Sequence, residues 1–196
     1  MSTRKATIER NTNETKIKLE FNIDGTGQVK LDTGMPFFDH MLDLFTRHGL
    51  FDLDLKVDGD LEIDFHHSVE DVGICLGQAF KEALADGEKI NRYASGQIPM
   101  DESIANIAID ICNRPSLIFN PRLPQGAIGK FDSELVLEFF QAFVNNARIA
   151  LHIGVPTGEN LHHKIEACFK GFGIILDRAT QLDPRKTGVP STKGVL

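Results

Sequence analysis

The sequence predicts an α+β fold of two internal repeats, each ordered strand-strand-helix-strand-helix and related by a pseudo-twofold axis. Two observations carry this. Segments of period two and period 3.6 succeed one another in the same order in both halves of the 196-residue chain. The hexapeptide His-His-Ser-Val-Glu-Asp, beginning at residue 66, returns as His-His-Lys-Ile-Glu-Ala beginning at 162, an offset of 162 − 66 = 96. Phe-Asp-His at 38–40 is echoed by Phe-Asp-Ser at 131–133, an offset of 93 that aligns His40 with Ser133. Residues 1–93 are read as the first repeat and 94–196 as the second, with a C-terminal tail.

Residues 15–23 place Ile17, Leu19, Phe21 and Ile23 on one face, the pattern of a half-buried strand. Gly25 and Gly27 mark a turn, and residues 28–32 read as the hairpin partner. A helix is expected over 36–48, opened by Pro36 and stopped by Gly49. Residues 51–57 alternate again, and a long helix follows over about 66–85. In the second half, strands are expected at 104–111, 116–120 and 149–153, with helices at 133–144 and 161–181. The tail from 184 has no periodicity and reads as a frayed terminus.

Composition narrows the function. The apolar share of 41% and charged share of 25% are ordinary for a globular protein. A net charge of −7 argues against nonspecific nucleic-acid binding, which needs a basic face. No apolar run reaches the ~18 residues of a membrane span, and the N-terminus lacks a secretory core. Cys75, Cys112 and Cys168 are odd in number, form no Cys-x-x-Cys pair and sit among apolar neighbours, so they read as buried thiols of a reducing cytoplasm.

Four of the seven histidines lie in the two His-His pairs. In each, a glutamate stands four residues after the first His and three after the second, beside both imidazoles on a helix. Successive helical residues point about 100° apart, so the adjacent imidazoles diverge and suit two different ions better than one. His66, His67, Glu70, His162, His163 and Glu166 thus form a candidate metal set, which His40 and His152 would bring to eight. Imidazole and carboxylate without thiolate suit manganese, iron, zinc or nickel. Taken alone, His40 reads equally either way, His152 in an apolar strand reads as a satisfied core histidine, and His48 beside Gly49 reads as a helix C-terminal cap. Arg92 in a turn, Arg114 beside Pro115, and the Ser191, Thr192, Lys193 run offer donors for an anion such as phosphate.

The motifs at 38–43, 66–71, 151–153, 158–170 and 190–196 resemble those of the imidazoleglycerol-phosphate dehydratase family, in order and spacing, from about Ala6 to Leu196. The resemblance implies two similar halves, each a four-stranded sheet packed with helices. It implies a carbon–oxygen lyase of histidine biosynthesis that removes water from imidazole glycerol phosphate to give imidazole acetol phosphate. It further implies two manganese ions per site, which stabilise an imidazolate or diazafulvene-like intermediate, and a homo-oligomer of 24 subunits with sites between subunits. By motif match the metal ligands are His40, His66, His67, Glu70, His152, His162, His163 and Glu166. Glu14 falls at a substrate-contacting position, and Arg92, Arg114, Ser191 and Lys193, with Thr192 between, at phosphate-binding ones. Glu14, Glu166 and His67 are the expected catalytic groups, although a metal-bound Glu166 is a poor base. Two rivals are a metal-dependent hydrolase, for which His-Glu-x-x-His is missing, and a non-catalytic metal-storage or metal-sensing shell.

Overall fold

The computed structural model describes residues 4–194. In chain order its first half holds β1 (Lys5–Asn11), β2 (Thr15–Asn22), β3 (Val29–Asp32), α1 (Pro36–His48), β4 (Asp52–Gly59) and α2 (His66–Leu84). The second half holds β5 (Tyr93–Met100), β6 (Ser103–Ile111), β7 (Ser116–Phe119), a small hairpin of β8 (Ala127–Ile128) and β9 (Phe131–Asp132), α3 (Glu134–Ala147), β10 (Ile149–Thr157) and α4 (Leu161–Thr180).

Each half forms a four-stranded sheet, ordered β1-β2-β4-β3 and β5-β6-β10-β7. The repeat is therefore three strands, helix, strand, helix, one strand longer than the sequence suggests. The missed strands β1 and β5 are both edge strands. Strand β5 carries Gly96 and Pro99, which a strand tolerates at an edge because no ladder donor is lost there. Residues 28–32 are not the hairpin partner of β2. Both flanks of β2 are taken by β1 and β4, and β3 pairs in parallel with β4, Val29 opposite Leu53. The Asp52 carboxylate fixes this by accepting from the backbone N–H of Thr26 (2.8 Å) and Gln28 (3.0 Å). In the same way β7 pairs in parallel with β10, and α1 and α3 are the crossovers that parallel pairing requires.

The four helices lie between the two sheets. Helix α2 packs on β1 and β2, α4 packs on β5 and β6, and the layers meet as α1 against α4 and α2 against α3. The alternating burial of β2 and β6 follows, with one face on the helices and one outward. The halves share one core rather than two: Phe45 stacks on Phe172 and Phe38 on Phe131, at centroid distances of 5.2 and 5.8 Å. Two glycines allow the layers to touch. A Cβ on Gly173 would lie 2.3 Å from the Phe45 carbonyl oxygen, and one on Gly77 would lie 2.6 Å from that of Phe143.

That contact corrects the internal alignment. Phe45 over Gly173 corresponds to Phe143 over Gly77, an offset of 143 − 45 = 98 between α1 and α3. His40 therefore matches Glu138, not Ser133. The Phe-Asp echo at 131–133 belongs to β9 and the residue preceding α3, about a turn out of register with α1.

Candidate metal and substrate site

Both His-His motifs open their helices at the ends of their sheets. In α4 the Asn160 side chain accepts from the backbone N–H of His162 (2.9 Å) and His163 (3.4 Å), fixing the first turn. The two rings lie 80° apart, and those of His66 and His67 lie 88° apart. The divergence expected from helical geometry is present in both.

His162 turns toward α1. Its ring centroid is 6.0 Å from that of His40 and 5.2 Å from that of Phe37, and its Nε2 lies 3.3 Å from Glu166 Oε2. His40, His162 and Glu166 each offer a ligand atom, all within 4.8 Å of one another. The Glu166 side chain is 8% exposed, and its other oxygen accepts from Lys170 Nζ. Burial opposes ionisation of Glu166, but Lys170, His162 and His40 together outweigh it and hold the carboxyl below the usual range. Sequence reasoning missed Lys170, although a Lys four residues after a Glu on a helix is a legible signal.

His163 turns the other way, toward the β5–β6 turn, where Nδ1 lies 2.7 Å from Glu102 Oε2. The first repeat has the same device. His67 Nδ1 lies 2.9 Å from Asp60 Oδ2 at the end of β4, and its Nε2 lies 3.8 Å from Glu14 in the β1–β2 turn. The hydrogen bonds that His67 and His163 donate to Asp60 and Glu102 are the main causes raising the pKa of the two imidazoles. Neither carboxylate was singled out in the sequence, because each sits in a turn with no periodic mark. His66 is exposed on α2, and Glu70 is half-buried one turn further on.

The remaining predicted residues lie elsewhere in the chain. His152 is exposed on the outward face of β10, in register with Ala108 of β6 and Ile118 of β7, while the helices cover the opposite face. Within one chain it does not join the His40–His162–Glu166 group. Arg92 precedes β5; its Nε donates to Asp110 Oδ1 (2.8 Å) and its Nη1 to the Pro190 carbonyl (2.9 Å). The tail is thus not frayed. It is clamped on residues 89–92, with the Lys89 N–H donating to Gly188 O (2.8 Å) and Lys186 Nζ to Ile90 O (3.0 Å). Ser191 is half-buried, and Thr192 and Lys193 are exposed just beyond Pro190. Arg114 is exposed in the β6–β7 turn, at the same end of the sheet. The cationic end and the Glu102 end are separated by the eight residues of β5, on the order of 25 Å at the usual strand rise.

His48 ends α1 as expected. Burial and the neighbouring Lys170 push its pKa down, where a helix C-terminus would push it up. Its surroundings are those of the Glu166–Lys170 pair. All three cysteines are buried and free. No helix among the described residues is long and apolar enough to cross a membrane.

Comparison with known proteins places this geometry. Residues 33–176 match the family model described as imidazoleglycerol-phosphate dehydratase. The chain is 60% identical to the imidazoleglycerol-phosphate dehydratase of Pelobacter propionicus, over 99% of this chain and 100% of that protein. It is 58% identical to that of Geobacter metallireducens, over 98% and 99%. Among solved structures, imidazoleglycerol-phosphate dehydratase from Staphylococcus aureus superposes with a TM-score of 0.83 at 38% identity, covering 91% of this chain and 99% of that one. The Pyrococcus furiosus structure, in complex with (S)-C348, gives 0.82 at 34%, covering 96% and 100%.

Proposed function

The chain belongs to the imidazoleglycerol-phosphate dehydratase family, hydro-lyases, and from that premise we propose that it removes water from imidazole glycerol phosphate at a centre of two divalent ions, manganese by preference. The observation that carries this is the convergence of His40, His162 and Glu166 within 4.8 Å. The donor set fits such an ion: two imidazoles and a carboxylate held ionised, with no thiolate. His66, His67, Glu70, His152 and His163 complete the proposed ligands.

The difficulty of the reaction is that the departing proton sits on a carbon with no adjacent carbonyl, so the substrate's own ring must accept charge. When bound, the ions supply Lewis acidity and a template at that ring. Glu166 is engaged by Lys170 and His162 and serves as a ligand rather than a base. Glu14 is the better proton carrier: it is exposed in a turn and 3.8 Å from His67 Nε2. Arg92, Arg114, Ser191, Thr192 and Lys193 hold the phosphate ester, converting binding energy into orientation.

These cationic groups stand about a strand length from the metal residues of their own chain, and His152 faces away from them. That supports a site shared between copies in a homo-oligomer, of 24 subunits in this reading. Product formation belongs to histidine biosynthesis in the cytoplasm, a compartment that suits three buried thiols.

The test is dehydratase activity on imidazole glycerol phosphate after metal stripping and manganese re-addition, with His67→Ala and His163→Ala alongside. Manganese is expected to restore the wild type, and each variant to fall by on the order of a hundredfold or more. A fully loaded wild type without turnover would refute the dehydratase reading and leave a metal-storage shell.

A further inference from the structure

The two histidines that point away from the His40 group are each held at Nδ1 by a carboxylate, but the two carboxylates are held differently. Glu102 is engaged at both oxygens. Its Oε2 faces His163 Nδ1 at 2.7 Å, while Oε1 accepts the backbone N–H of Asn160 (2.9 Å) and Glu159 (3.1 Å) and the Ser103 hydroxyl (3.2 Å). Asp60 faces His67 Nδ1 with Oδ2, and its buried Oδ1 has no hydrogen-bond partner.

We propose that Glu102 is a positioning residue, locked by backbone donors, at which only a carboxylate can hold the His163 tautomer, and that Asp60, which no backbone donor locks, holds the same tautomer of His67 in a way an amide can replace. The proposal rests on the metal reading above. A carboxylate only accepts, so Nδ1 must carry the hydrogen and Nε2 is left with its lone pair. Asp101 stands 3.8 Å from that Nε2, beyond hydrogen-bond distance, so the nitrogen is available to an ion.

The two sites respond differently to an amide. In Glu102→Gln the two backbone N–H donors claim the single carbonyl oxygen, and the NH2 group falls opposite Nδ1. His163 must then accept at Nδ1, its hydrogen moves to Nε2, and a protonated Nε2 cannot bind a metal. The hold on the start of α4 survives, because the carbonyl still accepts from Glu159 and Asn160. In Asp60→Asn no backbone donor fixes the amide, so its oxygen can face Nδ1 and keep the tautomer.

The experiment is Mn2+ titration of the assembled full chain, read by the electron paramagnetic resonance signal of free Mn2+. It compares wild type, E102Q and D60N, with metal-free thermal unfolding of each and of E102A. E102Q is expected to weaken one Mn2+ site ten- to a hundredfold, with D60N changing it less than threefold and metal-free E102Q melting like wild type. E102Q binding Mn2+ as wild type does, or D60N losing as much as E102Q, overturns the proposal. So does metal-free E102Q melting as low as E102A, which would make the effect structural. A wild type that binds no Mn2+ at all overturns the metal reading itself, a result distinguishable from the others.

Discussion

The two repeats share strand order, helix placement and a His-His-x-x-Glu start to the long helix, yet their outward faces differ. The first sheet presents charge: Lys5 pairs with Glu20, Lys18 with Glu9 and Lys30 with Asp54, at 2.6, 3.3 and 3.0 Å. Such exposed pairs add little stability. The second sheet presents Ser95, Gln97, Asn106, Ala108, Ala150, His152 and Ile118, with Tyr93 and Ile118 59% and 47% exposed, and its one acidic group there among the described residues, Asp110, is paired with Arg92. Depletion of charge is the mark of the core of a contact surface. A duplicated fold thus kept its interior and its His-His-x-x-Glu helix start, and diverged on its outward faces.

The divergence reaches the motifs. In the second repeat Lys170 engages Glu166 directly. In the first, the half-buried cation Arg10 sits on Asp71, one residue beyond Glu70, with the Thr15 hydroxyl donating to the same carboxylate at 2.5 Å. The second motif therefore pairs its glutamate with a cation directly, and the first spends its cation on tying β1 and β2 to α2.

The largest expected effect follows from the outer faces. Ile118→Lys places a charge on the second face beside His152 and is expected to yield smaller assemblies in sedimentation, with activity down at least roughly tenfold, while Lys30→Ala on the first face stays within about 0.5 kcal/mol of wild-type stability and assembles normally. Equal behaviour of the two variants would dissolve the contrast. Where the repeats agree, the glycine contacts test the agreement. Gly173→Ala and Gly77→Ala each push a methyl against a facing carbonyl, and each is expected to cost about 1–3 kcal/mol by denaturant unfolding; a loss in only one would show that the helix pairs are not equivalent.

The smallest effect concerns the link between the repeats. Arg4 donates to Asp24 and to the Thr180 carbonyl at the end of α4. Its hydrogen bond lowers the Asp24 pKa in the folded chain against an opposing burial effect. A lowered folded pKa stabilises above the unfolded value of about 3.9 and is lost as pH falls through the folded value. Asp24→Asn is expected to cost under about 1 kcal/mol at neutral pH, since the pair is half exposed, and to flatten the stability curve below pH about 4. An unchanged acid limb in the variant would show the link to be idle.

Much of this was legible along the chain. The strands with clean alternation, β2, β4 and β6, and the long helices were readable because one buried face imposes its period on the residues. Strands β1 and β5 were not: Arg10 points inward from one, and Gly96 and Pro99 interrupt the other. The pairing of β3 with β4 rests on the Asp52 side chain and on occupied neighbours, which leave no local trace. Among site residues, the divergence of adjacent imidazoles followed from helical geometry alone, whereas Glu102 and Asp60 became visible only when turns 61 and seven residues from their motif partners were brought to the rings.

The sequence by itself determined the repeat, the residue types of the site and the angle at which each His-His pair opens, because these depend on spacing within one helix or strand. Only the tertiary structure decided that α1 meets α4 with His40 beside His162, that Lys170 and Glu102 engage the second motif, that the tail is clamped by Arg92, and that His152 and the cationic end stand apart from the His40–His162–Glu166 group in a single chain. Those facts depend on contacts between distant segments, whose energies are set by packing and hydrogen bonding across the sandwich and have no period along the chain.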